Sequence, residues 1–316
     1  MILLTGSTGF IGKALSHRLS DSGKKFITLS KKTSNNTGKG EAHHSLDIND
    51  DCEWGDVLLG VQTIVHAAGI AHVEITSKNK HEFIETNLTS TLKFARKAAA
   101  LGVHRFIYLS TLNVNGIVSD DFITELDSVG PADFSAELKL KVEEALMDIS
   151  SKTGMEIVIV RCPLVYGADV KANFLSLLKL SNTGLPLPFG MVNNKRSMVY
   201  VENLVDFIVK CIDNPTAANQ TFLISDNDDL SLSGLLQLIR KSMNKSARLI
   251  PVPIFLFKLA GLIFRKKDVV DRLVGDLQVD SSKAMSLLDW KPPYTVEQGI
   301  QSTVDSFLEN HKQDNK

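Results

Sequence analysis

Short unbroken apolar runs alternate with amphipathic stretches through the first half of the chain. Residues 1–4, 25–29, 63–66, 106–109 and 157–160 are apolar and of strand length. Between them, residues 11–19, 83–100 and 136–149 carry apolar positions at helical spacing. Strands alternating with helices predict βαβ units and a parallel sheet. Interior parallel strands are buried on both faces, which accounts for runs without polar alternation. A sheet of this kind takes its ligands beyond the carboxyl ends of its strands.

The second half is less regular. Residues 173–182, 202–213 and 231–243 read as helices, 197–201 as a strand and 184–190 as a loop. The polar tail from His311 reads as frayed. The longest apolar stretch, 253–264, is interrupted by Lys258 and falls short of the roughly 20 residues a membrane span needs. It reads as a buried helix. A membrane-contacting helix followed by Arg265-Lys266-Lys267 is the alternative.

Composition narrows the picture. Apolar residues make up 43% of the 316, enough for a large core and for two domains or one composite domain. The net charge of −1 argues against a nucleic-acid binder, which needs an excess of cations. It leaves room for a small anionic ligand. Cys52, Cys162 and Cys211 are odd in number and widely spaced, so neither a disulfide framework nor a zinc site is expected and a reducing cytoplasm fits. The opening Met1-Ile-Leu-Leu4 lacks the charged region of a secretory signal.

The sharpest motif is Thr5-Gly6-Ser7-Thr8-Gly9-Phe10-Ile11-Gly12, set between a strand and a helix. Gly6 permits a tight turn, Gly9 a close approach of backbone to a pyrophosphate, and Gly12 close packing of helix on strand. The helix N-terminus faces the anion. Glycine spacing alone is weak evidence; its place in a βαβ series supplies the required context.

With these residues the chain resembles the extended short-chain dehydrogenase/reductase superfamily, of the nucleotide-sugar epimerase/dehydratase/reductase type. The resemblance runs on through Asp47-Ile48, Val65-His66-Ala67-Ala68-Gly69, Asn87, Leu109-Ser110-Thr111 and Lys139. It includes Arg161-Cys162-Pro163-Leu164-Val165-Tyr166-Gly167 and the segment from Lys195 to Val201. Residues 170–174 and 184–190 resemble bacterial 4-keto reductases of surface-polysaccharide synthesis, which reduce UDP-4-keto-6-deoxy-N-acetylglucosamine. The fold implied is a Rossmann-like, doubly wound parallel sheet with a smaller, mostly helical C-terminal substrate domain. Residues 1–165 would bind NAD(P), with a later segment, about 195–225, returning to that domain; 166–316 would mainly bind substrate.

The resemblance implies roles. Asp47 would meet the adenine amino group and Ile48 pack beside the base. Ala67, Ala68 and Gly69 give small side chains where ribose and phosphate pass, with Asn87 and Pro163 nearby. At the end of the second strand, Ser30-Lys31-Lys32 offers two cations and a hydroxyl and no carboxylate. That suits the 2′-phosphate of NADP better than NAD, with a solvated pair of loop lysines as the alternative.

Catalysis in the superfamily uses a Ser/Thr, a Tyr and a Lys four residues after the Tyr. Thr111 and Lys139 stand at the expected places, but Ser135 stands where the Tyr should be, and Leu138 where Ser is frequent. An aliphatic hydroxyl is a poor proton donor at neutral pH. An inactivated variant, a homologue with rerouted catalysis through water or Thr111, and a binding protein without turnover all remain open. Tyr166 and His66 read as structural. Asn173, Arg196 and Arg272 resemble the diphosphate-binding residues of the family.

The expected activity is NADP-dependent reduction of a 4-keto nucleotide sugar, with a 4-epimerase holding NAD, or a non-catalytic NAD(P) sensor, as alternatives. A UDP-sugar is the expected partner, a homodimer through 83–100 and 136–149 the expected assembly, and neither metal nor membrane contact is expected.

Overall fold

Strand β1 (Ile2–Thr5) is buried at all four positions, as the centre of a parallel sheet requires. The computed structural model describes residues 1–31, 42–49, 54–71 and 73–314. Beside β1 run β2 (Phe26–Ser30) and β3 (Ala42–Ser45) on one side, and β4 (Thr63–His66), β5 (Arg105–Thr111) and β6 (Glu156–Cys162) on the other. All are parallel, and a late strand, β9 (Gln220–Leu223), extends the sheet beyond β6. The order β3-β2-β1-β4-β5-β6-β9 reverses direction at β1, so the ligand crevice of such a sheet lies beyond the ends of β1 and β4.

Helices cover both faces. Ile2 and Leu4 point to one side, where Leu15 and Leu19 of α1 (Phe10–Asp21) and Leu204 and Ile208 of α7 (Val201–Asp213) pack. Leu3 points to the other, with Trp54 of α2 (Trp54–Leu58), Phe94 of α4 (Thr91–Ala100) and Leu146 of α5 (Phe134–Thr153). After β6 come β7 (Leu164–Tyr166), α6 (Ala172–Asn182) and β8 (Met198–Tyr200), with β7 and β8 forming a small parallel sheet. The remainder is helical: α8 (Leu232–Ser242), α9 (Ile254–Ile263), α10 (Lys267–Val274), α11 (Ser282–Leu288) and α12 (Val296–Asp314).

Four features differ from the pattern reading. The helix expected over 83–100 is broken into α3 (Lys80–Ile84), a π-helical turn (Glu85–Ser90) and α4. There the Thr91 hydroxyl donates to the Thr86 carbonyl (3.1 Å). The tail from His311 is not frayed at its start: α12 continues to Asp314, held by Val296, Ile300, Val304 and Phe307 in the core. Strand β3 escapes a search for apolar runs because it is a half-exposed edge, Ala-His-His-Ser. The stretch 253–264 is a helix but not a buried one. Helix α10 covers one side, with Val270 so close to Gly261 that a Cβ there would sit 2.8 Å from a Val270 methyl. The other side is open. Lys32 and Cys52 lie outside the described residues. Among the described residues, no helix is long and apolar enough to cross a membrane, and no His/Cys/Asp/Glu group is arranged to hold a metal ion.

Candidate functional site

At the end of β1 the chain turns through Gly6, whose φ of +71° is in the left-handed region. A Cβ at Gly6 would lie 2.6 Å from the Ala67 carbonyl, and one at Gly12 only 2.1 Å from the Gly6 oxygen. Helix α1 therefore starts hard against the loop. Gly9 occupies its N-cap without a capping side chain, and no acidic residue stands in the first turn. The Ser7 hydroxyl is buried in this loop with no partner among the described residues. A cradle that a Cβ would fill, an uncapped helix N-terminus and an orphaned hydroxyl fit the pyrophosphate of a dinucleotide. Thr8, Phe10 and Ile11 are half-buried around it.

A chain of hydrogen bonds ties this loop to the neighbouring turn. The Ala68 N–H donates to Thr5 Oγ1 (3.2 Å), and Thr5 Oγ1 meets His66 Nδ1 at 3.0 Å. His66 Nε2 meets Thr91 Oγ1 at 3.2 Å, and Thr91 donates onward to Thr86. With Thr91 spending its proton on Thr86, His66 donates from Nε2 and accepts at Nδ1. Burial, helped by the nearby Lys139 charge, lowers the His66 pKa to about 3, so the ring stays neutral. It is a core histidine. Asn87, in the π turn, accepts from the Ile70 N–H (2.8 Å) and donates to the Ile70 carbonyl (2.9 Å). It clamps the end of the Ala67-Ala68-Gly69 turn. Thr91 carries no local signal in the sequence and Thr5 enters only as the first residue of the glycine motif; what joins them to His66 is spatial.

At the other end of the crevice, Lys31 Nζ lies 2.8 Å from Asp47 Oδ2. Burial works to raise the Asp47 pKa, but the Lys31 contact and the Asn49 N–H (3.1 Å) outweigh it and leave it lowered. Two residues assigned separately from the sequence thus form one ion pair. Ser30 is only 5% exposed and Ile48 6%, the latter within the core.

Thr111 and Cys162 end β5 and β6 as cross-strand partners. Lys139 reaches toward them from α5: its ammonium donates to the Leu109 carbonyl (2.7 Å) and stands 4.9 Å from the centre of the Tyr108 ring. Burial lowers its pKa to about 8, against the opposing pull of Cys162 and Glu143. Thr111 Oγ1 accepts from the Asn113 N–H (3.2 Å) and keeps its proton to donate. Ser135 sits one turn before Lys139, half-buried, its hydroxyl without a protein partner among the described residues.

One turn after Lys139, Glu143 takes the Ser110 hydroxyl and a two-pronged contact from Arg161 (2.7 and 3.1 Å). Both charged side chains are under a tenth exposed. Ser135, Lys139 and Glu143 repeat every four residues, the spacing of one helix face, and this signal was available in the sequence. Tyr166 is not a substitute acid: it is buried and donates to Asp226 (2.7 Å), and burial followed by that carboxylate drives its pKa upward.

On the substrate side, Arg196 is held by backbone bridges to Leu230 and Leu277, and its guanidinium donates to the Gly275 carbonyl (3.1 Å). Burial, then the neighbouring Arg272 charge, lowers its pKa to about 10, while Asp276 works the other way. Arg272 donates to Asp133 (3.1 Å), which also caps α5 through the Ala136 N–H (2.9 Å). The Arg272 Nε is buried and has no partner among the described residues. The two guanidinium groups are thus near enough for one to depress the pKa of the other, and Arg272 reaches the N-terminus of the helix that carries Ser135 and Lys139. Asn173 stands apart, exposed in the first turn of α6, and Pro163 is buried between β6 and β7.

Comparison with known proteins adds to this geometry. The family model described as NAD dependent epimerase/dehydratase matches residues 2–225. A UDP-glucose 4-epimerase of Vibrio cholerae is 40% identical over 314 residues, covering 98% of this chain and 95% of that protein. Two solved structures superpose over 98% of this chain and 99% of their own. One is UDP-glucose 4-epimerase of Thermotoga maritima with UDP-glucose (TM-score 0.80, 22% identity). The other is UDP-glucuronic acid 4-epimerase of Bacillus cereus in complex with NAD (TM-score 0.81, 19% identity). At these identities the two structures speak for the fold.

Proposed function

The chain belongs to the NAD dependent epimerase/dehydratase family, and from that premise we propose that it acts on UDP-sugars as a 4-epimerase that keeps NAD bound. One observation carries the reading: two anion-seeking groups stand along the same carboxyl edge of the parallel sheet, where α1 and α5 begin. The uncapped start of α1 with its glycine cradle is one. The Arg196–Arg272 pair is the other, and Thr111 and Lys139 come from the strand end and helix between them. The 40% identity to a UDP-glucose 4-epimerase supports epimerisation over other chemistry at the same carbon.

When bound, the nicotinamide supplies a hydride acceptor and donor. Gly6, Ser7, Gly9 and the first turn of α1 would hold its pyrophosphate, Asp47 and Lys31 its adenosine end, and Lys139 the nicotinamide ribose. Arg196 and Arg272 would hold the diphosphate of the sugar nucleotide through charge-assisted hydrogen bonds. The Thr111 hydroxyl orients the reacting sugar oxygen. No phenol stands at position 135, so the proton passes through Thr111 or water to Lys139, whose pKa of about 8 suits exchange near neutrality.

A second reading is NADP-dependent reduction of a 4-keto nucleotide sugar for surface polysaccharide. It is favoured by the absence of a carboxylate where β2 ends in Ser30 and Lys31. The Lys31–Asp47 pair weakens it, because that cation is already half neutralised. The assembly we favour is a homodimer through residues 83–100 and 136–149, with Met147 exposed in the second segment and Leu101 exposed just past the first.

The test is to denature purified protein, identify the nucleotide released, and follow UDP-glucose by proton NMR. Released NAD and formation of UDP-galactose support the epimerase. Oxidation of added NADPH by a UDP-4-keto-6-deoxy sugar, with no epimerisation, supports the reductase. Nucleotide binding without either turnover refutes both and leaves the sensor.

A further inference from the structure

Helix α9 presents an apolar face that no described residue covers. Phe255 (65% exposed), Leu256 (43%), Leu259 (50%), Leu262 (71%) and Ile263 (65%) follow helical spacing along one side, and Phe264 (73%) extends the row. Inward, Phe257 stacks on Phe189 (5.6 Å between centres) and Gly261 lies against Val270. The helix is thus firmly seated on one side while the open side is as apolar as a core. Contiguous apolar surface of this kind on a folded chain marks a site of contact.

Charge shows what the face meets. Lys258 stands exposed among the apolar residues, and Arg265 and Lys266 follow the helix end, both exposed. Arg265 adopts φ +54°, a backbone that glycine usually supplies, which turns the chain sharply at the edge of the apolar row. Among the described residues none of these three cations forms an ion pair, whereas Lys267 is taken by Asp271 (2.6 Å). Large apolar side chains rimmed by unpaired cations are the two halves of an interfacial helix. The apolar part enters the acyl boundary and the cations meet anionic headgroups.

We propose that α9 docks this protein on the surface of an anionic lipid bilayer, as a peripheral attachment without a span. The sequence alone favoured burial for this segment. The proposal is independent of the chemistry assigned to the crevice. Its geometry is suggestive for it all the same: α10, packed on α9, exposes Val269 on one side and sends Arg272 to Asp133 on the other. Docking would bring the arginine end of the crevice close to the bilayer.

The test uses the full chain in sedimentation with vesicles of phosphatidylcholine and phosphatidylglycerol in equal parts, beside vesicles of phosphatidylcholine alone. The expected result is binding to the mixed vesicles that weakens with added salt. Leu262→Ser with Phe264→Ser should reduce binding at least about tenfold, as should Arg265→Gln with Lys266→Gln. All four positions are exposed, so thermal stability and nucleotide binding serve as controls for folding. No sedimentation with mixed vesicles overturns the proposal, and so does equal binding by all variants. If the serine variant instead dissociates a dimer, seen by analytical ultracentrifugation, while no form binds vesicles, the face belongs to a second copy and the bilayer proposal fails.

Discussion

Restoring a phenol at position 135 should raise turnover, and the structure sets the scale of the gain. Ser135 and Lys139 are one helical turn apart on the same face of α5, and Ser135 is half-buried, so a ring has an open side to enter. The Lys139 ammonium is held by the Leu109 carbonyl at 2.7 Å, near enough to the strand ends to depress the pKa of a phenol beside it. A positioned general acid or base contributes about 10²–10⁴ in rate. Leu138 also stands where the resemblance leads one to expect Ser, and in the proposed mechanism Thr111 with water carries part of the proton transfer, so the gain is set at the low end. We therefore expect Ser135→Tyr to gain at least about tenfold, a barrier change of about 1.4 kcal/mol. Affinity for NAD should change little, since the proposal gives the ribose contact to Lys139, which the substitution leaves in place. The assay is the initial rate of UDP-glucose to UDP-galactose conversion on matched preparations, with Lys139→Ala added to Ser135→Tyr as a control. Rapid turnover by the unmodified protein and no gain in Ser135→Tyr would refute the argument, because another group must then supply the proton.

Arg272→Met should weaken UDP binding in calorimetry by about 1.5–3 kcal/mol, the scale of a hydrogen bond to a charged group. Its ion pair with Asp133 is more than a third exposed on both sides and worth at most about 1 kcal/mol, so unfolding stability should hardly move; unchanged UDP affinity counts against this placement. Glu143→Gln leaves the Arg161 charge buried with a weaker partner and should cost about 3 kcal/mol, the low end for a broken buried pair, in urea unfolding. A loss under about 1 kcal/mol contradicts the network. The lowered pKa of Lys139 has a signature in stability against pH. From about pH 8 upward the folded protein releases this proton while the unfolded chain holds it to about pH 10.4, so unfolding takes up a proton and stability rises with pH. Relative to Lys139→Met, the unmodified protein should gain stability across that window; a flat difference rules the shift out.

What the sequence could reveal depended on whether the signal was local. The interior strands announce themselves because burial on both faces leaves no polar alternation, and the glycine loop because its three glycines sit within seven residues. Ser135 was visible as a departure because its partner Lys139 is four residues away. The pairing of Lys31 with Asp47 was invisible, since it joins loops after two different strands and separates two residues that had been given separate roles. The His66 relay was hidden for the same reason: its hydroxyls come from β1 and α4. The exposure of α9 was misread because mean apolarity predicts burial only when a partner surface exists, and composition does not record which sides of a helix are covered.

The apolar cluster that lies under α1 and α7 runs on to the far end of the chain, where α12 packs on α8 and against Tyr166 and Tyr200. Ile2, Leu4, Leu15 and Leu19 belong to the same apolar cluster as Val296, Ile300, Val304 and Phe307 of α12. During synthesis the amino-terminal strands leave the ribosome first, yet the last of the side chains that close this cluster emerge nearly three hundred residues later. Through that interval part of an apolar surface stays wet, and the nascent chain is open to capture by chaperones or by its neighbours on the polysome. A stop codon before residue 296 would make that condition permanent: every residue of the crevice would be present in the product, and the protein would be expected to aggregate.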